Sequence, residues 1–146
     1  MNGYRVLSAG VIVVRKDGDD WKYLLLRAYR YWDFPKGIVE DGEDPVHAAR
    51  REVEEETTIS SLDFRWGLDY RETGPYNRGK VARYYLAETK TSEVDLPVNP
   101  EIGRPEHEEF RWVTYDEARG LVAPRVLEAL EWANGLITKG RPGQLR

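Results

Sequence analysis

The chain has 146 residues, with 22 Lys and Arg against 26 Asp and Glu, two His and no Cys. A length near ~150 residues is that of one domain, and the lack of cysteine excludes disulfides, zinc–thiolate sites and thiol nucleophiles. A net charge of −4 disfavours a nucleic-acid or membrane-surface binder, and His47 and His107 alone cannot build a histidine metal cage.

In chain order, residues 4–15 are rich in β-branched side chains and predict a strand, and the cluster Lys16-Asp17-Gly18-Asp19-Asp20 predicts a turn. Residues 21–28 predict a second strand that closes a hairpin with the first. Residues 29–36 are aromatic and read as irregular, ended by Pro35 and Gly37. The clearest helix follows: Asp44 is its N-cap, Pro45 its first residue, and Val46, Ala49 and Val53 form the apolar stripe of a helix ending near Thr57. Residues 60–70 and 81–89 predict strands joined by a loop, 71–80, which carries Gly74, Pro75 and Gly79. Residues 96–103 are interrupted by Pro97 and Pro100, 104–109 form a charged loop, and 110–113 predict a short strand. Helices are predicted over 115–121 and 124–137, and a flexible tail over 139–146. Strands in both halves with helices between and after them predict an α/β (α+β) fold, a mixed sheet covered by helices, over residues 1–138. No apolar run is long enough to span a bilayer, and the N-terminus lacks the apolar core of a signal peptide. The expectation is therefore a soluble cytoplasmic protein.

On the first helix, Glu52, Glu55 and Glu56 stand at i, i+3 and i+4, within an arc of about 100° and away from the apolar stripe. Like charges at i, i+4 cost ~0.2–0.5 kcal/mol, and acids in the last turns oppose the helix dipole. Hard divalent cations bound by carboxylate oxygens would relieve both penalties, and Mg²⁺ suits substrates that bear phosphates.

The stretch GIVEDGEDPVHAARREVEEETTI, residues 37–59, resembles the signature of the Nudix hydrolases. Gly37, Glu43, Arg51, Glu52, Val53, Glu55, Glu56 and Ile59 all match, and coincidence at six fixed letters is roughly 10⁻⁷ per start position. Thr58 departs from the pattern, which has Gly at the helix exit. The resemblance implies the Nudix fold, a mixed sheet sandwiched between helices, and the metal-dependent hydrolysis of a nucleoside diphosphate linked to another group. By carry-over, Glu52, Glu55 and Glu56 ligate Mg²⁺ (Mn²⁺ as substitute) with the carbonyl of Gly37. Arg51 orients the carboxylates, and Glu43 is mainly structural.

The runs WDFPKG, RGKVARYYLAE and EHEEFRWVTYDEA are similar to the asymmetrical bis(5'-nucleosyl)-tetraphosphatases within that group, which cleave diadenosine tetraphosphate to ATP and AMP. That similarity implies phosphate binding by Lys36, a base held at Tyr76, and a further metal contact or general base at Glu106, with Glu108 and Glu109 as alternative registers. Strand alternation puts Lys80, Ala82, Tyr84 and Leu86 on one face, which offers Lys80 to a phosphate and the Tyr84 ring to an adenine. His107 is either a substrate contact or a surface histidine, and Trp32 is a core or anchoring residue. Arg27, Arg30, Arg71, Arg78 and Arg83 are candidates for a phosphate track or plain surface charge. Rival activities are RNA 5'-pyrophosphohydrolase, diphosphoinositol polyphosphate hydrolase and nucleoside triphosphate pyrophosphohydrolase. A Nudix-like nucleotide sensor is the non-enzyme alternative.

The acidity is local. Residues 40–56 carry eight acids against Arg50 and Arg51, a balance of −6, and the rest of the chain is +2. The expected partner is thus a nucleotide drawn to a metal-loaded acidic site, with no membrane and no long nucleic acid.

Overall fold

The computed structural model describes residues 6–139; residues 4 and 5 of the predicted first strand and residues 140–146 of the expected tail lie outside the described residues. Strands β1 (Val6–Asp17) and β2 (Asp20–Ala28) form the predicted hairpin, closed by the pair Asp17 and Asp20. Helix α1 (Pro45–Thr57) starts as expected: the Asp44 side chain accepts a hydrogen bond from the Val46 N–H at 2.8 Å. Helices α2 (Tyr115–Arg119) and α3 (Pro124–Lys139) close the chain, so Lys139 is helical.

Between these elements the sequence reading needs correction. The supposedly irregular residues 29–36 contain β3 (Tyr31–Asp33) and the start of β4 (Lys36–Ile38), which pair with β2 and β1 respectively. These strands are too short to show a period, and only the edges of β1 and β2 make them strands. The predicted strand 60–70 is not one; only Asp63 bridges, to Glu88. The predicted loop 71–80 is largely β5 (Arg71–Tyr76), which turns at residues 77–79 into β6 (Lys80–Glu88). Gly74 and Pro75 read as a break, yet β5 accommodates them through a register shift between Thr73 and Tyr76. Residues 98–105 hold a small hairpin, β7 (Val98–Asn99) with β8 (Arg104–Pro105), and β9 (Glu109–Val113) pairs with β2.

The main sheet runs β3-β2-β1-β6-β5, with β4 added to β1 and β9 to β2. It is mixed because β1 and β6 are parallel, with Gly10 opposite Tyr84, while the other pairs are antiparallel. Alternation along β1 builds two cores. Ala9, Val11 and Val13 pack with Ala48, Ala49 and Val53 of α1, whereas Ile12 and Val14 pack with Ala129, Leu130 and Ala133 of α3. The sheet is therefore sandwiched between α1 on one face and α2 and α3 on the other, as expected. Gly10 sits where the chain crosses at Pro35 and Lys36; any Cβ there would strike the Pro35 carbonyl and Lys36. Among the described residues no helix is long and apolar enough to cross a membrane.

Candidate active site

The acidic stripe of α1 lies graded across the edge of the α1 core. The Glu55 side chain is 58% exposed, that of Glu52 13%, and that of Glu56 5%. Arg51 organises this group. Its Nε and Nη2 grip both Glu43 oxygens at 2.8 and 3.0 Å, and Nη1 donates to Glu52 at 3.0 Å and to Glu55 at 3.2 Å. Nη2 also donates to the Ile38 carbonyl at 3.2 Å, which ties the helix to β4. Hydrogen bonds from Arg51 and from the Glu40 backbone hold the Glu43 carboxyl down to about 2. The fork explains why Glu43, outside the helix, belongs to the set.

The other carboxylates shift the opposite way. Burial raises Glu52, although Arg51 opposes it. Burial and then the charges of Glu106 and Glu52 push Glu56 well above the carboxylate range, with Lys36 and its backbone N–H opposing. Glu56 Oε1 is buried and has no hydrogen-bond partner among the described residues, an environment that suits a cation or a proton there. The Glu52 carboxylate lies directly over Gly37, where any Cβ would overlap it. Only glycine lets these two groups meet.

These features fit a hard divalent cation. The donors are carboxylate oxygens, one of them orphaned and buried, and no sulfur or imidazole pair competes. Among the described residues no three such groups are already gathered at liganding distance. Arg51 is the reason on the helix side, because it holds Glu52 and Glu55 against its own guanidinium.

Beyond β8, Glu106 reaches the same cluster and raises both Glu52 and Glu56. Glu108 and Glu109 do not join it: Arg27 binds them at 2.9 and 3.0 Å, and Arg111 takes the second oxygen of Glu109 at 2.9 Å. Of the three positions left open by sequence, Glu106 is the one that lines a cavity together with Glu55 and Glu56. His107 is mostly buried, with Nδ1 3.9 Å from Glu56 Oε1, and burial and Lys36 lower its pKa.

Lys36 links this acidic pole to a second, mixed one. Its Nζ stands 3.4 Å from Asp33 Oδ2; burial would lower its pKa, but Asp33 and Tyr76 outweigh that and raise it. Asp33 also accepts from the Tyr84 hydroxyl at 2.9 Å and from Arg125 Nη2 at 3.1 Å. Arg125 Nη1 donates to Thr73 at 2.8 Å and to the Tyr84 hydroxyl at 3.1 Å, and its guanidinium covers the Tyr76 ring at 4.0 Å. This knot joins β3, β4, β5, β6 and α3.

The knot corrects the reading of Tyr84. The predicted alternation holds, since Ala82, Tyr84 and Leu86 do share a face, but that face is the core beneath α3. The Tyr84 ring is 0% exposed, lies edge-on to Phe34 at 5.6 Å and offers no surface to an adenine. Tyr76 remains half-buried beside it, and Lys80 is exposed at the start of β6. Arg27 is committed to Glu108 and Glu109, and Arg83 to Glu72, so neither is free for a phosphate track. Trp32 is buried under Arg111, as expected for an anchor. Sequence reasoning missed Asp33 and Arg125. Both look like ordinary surface charges, and no local spacing ties them together.

The NUDIX domain profile matches residues 4–133. The asymmetrical bis(5'-nucleosyl)-tetraphosphatase of Rattus norvegicus is 32% identical over 126 residues, which is 76% of this chain and 80% of that relative. An RNA pyrophosphohydrolase of Bartonella bacilliformis is 24% identical over 137 residues, 79% of this chain and 81% of that relative. A crystal structure of a Caenorhabditis elegans Ap4A hydrolase binary complex superposes with a TM-score of 0.74 at 23% identity, covering 91% of this chain and 98% of that one, a likeness of fold.

Proposed function

The chain belongs to the Nudix hydrolase family, and from that premise we propose that it cleaves a phosphoanhydride of a nucleoside polyphosphate, with diadenosine tetraphosphate going to ATP and AMP. The observation that carries this reading is a pair of adjoining poles: a half-buried carboxylate cluster meets, at Lys36, a cationic knot that ends in the aromatic ring of Tyr76. Cations suit one pole, and a polyphosphate leading to a base suits the other.

Glu52, Glu55, Glu56 and Glu106, with the Gly37 carbonyl, would hold Mg²⁺, which when bound makes water a nucleophile and neutralises phosphoryl charge. Arg51 fixes Glu52, so the carboxylate nearest Gly37 enters the reaction already oriented. Lys36 donates to a phosphate oxygen and retains Asp33 as counter-ion, so its charge persists. Glu106 accepts the proton of the attacking water. Water oxygen bonds to the phosphorus next to one nucleoside, and the bridging oxygen departs with the electron pair on the triphosphate of the other. The half-buried Tyr76 ring stacks on a base, an interaction worth ~1–3 kcal/mol and tolerant of base identity.

The test is product analysis in ¹⁸O-labelled water with Mg²⁺ and diadenosine tetraphosphate. ATP with label-bearing AMP is expected; ADP alone would overturn the reading. A triphosphorylated RNA oligomer and single nucleotides, assayed on the same preparation, rank the rival substrates.

A further inference from the structure

The carboxylate cluster also opens on the side away from the Lys36 arm. A cavity of about 330 Å³ opens between the last turn of α1 and the β7–β8 hairpin. This is within the usual size range of small-ligand sites, about 300–1,000 Å³. Asp33, Lys36, Tyr76 and Arg125 do not line it, and it shares Glu55, Glu56 and Glu106 with the metal-binding cluster.

Its two walls differ in chemistry. One is apolar and stiff: Pro97, Val98, Pro100 and Pro105, with Val98 61% exposed at the rim. The other presents an acceptor at the hairpin tip, Glu101, beside Glu55 and Glu106 of the metal-binding cluster. The hairpin holds its own shape, because the Asn99 carbonyl accepts from Ile102 and Gly103 at 3.1 and 2.8 Å, and its side chain accepts from the Glu101 N–H at 2.9 Å. The ligand that suits such walls is neutral, flat on one side and rich in donors. The Glu101 carboxylate repels free phosphate, whereas ribose hydroxyls and exocyclic amino groups are donors that it accepts from. Proline and valine surfaces pack against a base face. Free purine or pyrimidine nucleosides meet all three conditions.

We propose that this cavity is a nucleoside subsite, walled by the β7–β8 hairpin, that holds the nucleoside released as the monophosphate. The proposal rests on the dinucleoside polyphosphate reading above and deepens it. The two nucleosides then occupy different arms that meet at Glu56, one against Val98 and the prolines, the other at Tyr76. The hairpin thereby selects a substrate with a nucleoside on both ends over one that ends in bare phosphate.

The experiment pairs two substrates with one variant. Diadenosine tetraphosphate has the second nucleoside, and adenosine 5'-tetraphosphate lacks it. Val98→Glu puts a charge on the apolar wall at an exposed position. It is expected to raise KM about tenfold for diadenosine tetraphosphate alone, the equivalent of losing one buried valine contact. An equal rise for both substrates, or none for either, overturns the subsite. In parallel, AMP with Mg²⁺ is titrated into the full chain and followed by backbone amide NMR. Shifts at Val98, Asn99 and His107 that vanish in Val98→Glu are expected, and shifts confined to residues 71–84 overturn the subsite. If neither substrate is turned over, the activity reading falls by itself. The AMP titration then decides the cavity: shifts along the hairpin uphold it and their absence refutes it.

Discussion

The two poles of the site are built in opposite ways. The acidic pole comes almost wholly from one stretch: Glu43, Arg51, Glu52, Glu55 and Glu56 lie within fourteen residues, and Arg51 binds Glu55 one helical turn on. The Asp33–Arg125 knot spans 92 residues and needs four strands and α3 to exist. A helix spaces its own side chains by its pitch, so the first pole forms wherever the helix forms. Only a completed sandwich brings the members of the second together. Damage to the acidic pole should therefore appear chiefly in chemistry, and damage to the knot in substrate affinity and stability together.

Glu52→Gln is the severest test of that division. It is expected to abolish measurable turnover, a loss of several kcal/mol of transition-state stabilisation, while circular dichroism and melting stay near wild type. Unfolding of the variant would erase the distinction. Next, Glu106→Gln is expected to slow turnover by about 10²–10⁴, while Glu109→Gln, whose carboxylate is already engaged by Arg27 and Arg111, changes it by less than about fivefold. The reverse order in steady-state assays would move the general base to Glu109.

Arg125→Ala tests the knot. It strips Asp33, Thr73 and Tyr84 of one shared donor, with an expected loss of about 1–3 kcal/mol in urea unfolding and a raised KM at little changed kcat. Arg125→Lys restores charge without the fork, so it should rescue less than half of the stability. A normal KM in both variants would sever the knot from substrate binding.

The Glu43–Arg51 pair gives a pH signature. Glu43 is held at about 2 when folded against about 4.3 when unfolded. Its contribution is complete above about pH 4.3 and fades as pH falls toward 2. Glu43→Gln should accordingly flatten the acid limb of stability, measured by urea melts between pH 5 and 2. An unchanged limb would show that the fork does not outlive solvent screening.

The smallest effect belongs to the helix exit. Thr58 adopts φ 65° and ψ 4°, the left-handed conformation that a β-branched residue resists, and its N–H donates to the Glu54 carbonyl at 2.9 Å. The sequence departure thus leaves the shape of the exit unaltered and loads it with strain. Thr58→Gly should raise stability by about 0.5–1 kcal/mol, because relief of the strain exceeds the entropy glycine adds to the unfolded chain. Destabilisation would mean that the hydroxyl bond from Thr58 to the Thr57 carbonyl outweighs it.

What was legible in the residues follows the same line. The cap at Asp44, the stripe of α1 and the hairpin β1–β2 all rest on neighbours within a few positions, whereas the close approach of Gly37 to Glu52 shows only in the fold. The short strands β3 and β4 and the kinked β5 did not show, because their only warrant is an edge supplied by another part of the chain. Tyr84 marks the boundary most clearly. Alternation along β6 assigned it to the correct face, but whether that face met a nucleotide or a helix depended on where α3 packed, more than forty residues later.

The sequence by itself determined the helix, its carboxylate stripe and the family to which they belong, since periodicity and spacing are local properties that survive without the rest of the fold. Tertiary structure alone decided that Glu106 lines one cavity with Glu55 and Glu56, that Asp33, itself held by Arg125, anchors Lys36, and that prolines wall that cavity. Each of those depends on the free energy of closing long loops and burying charge between distant elements, a sum over the whole chain that no local pattern records.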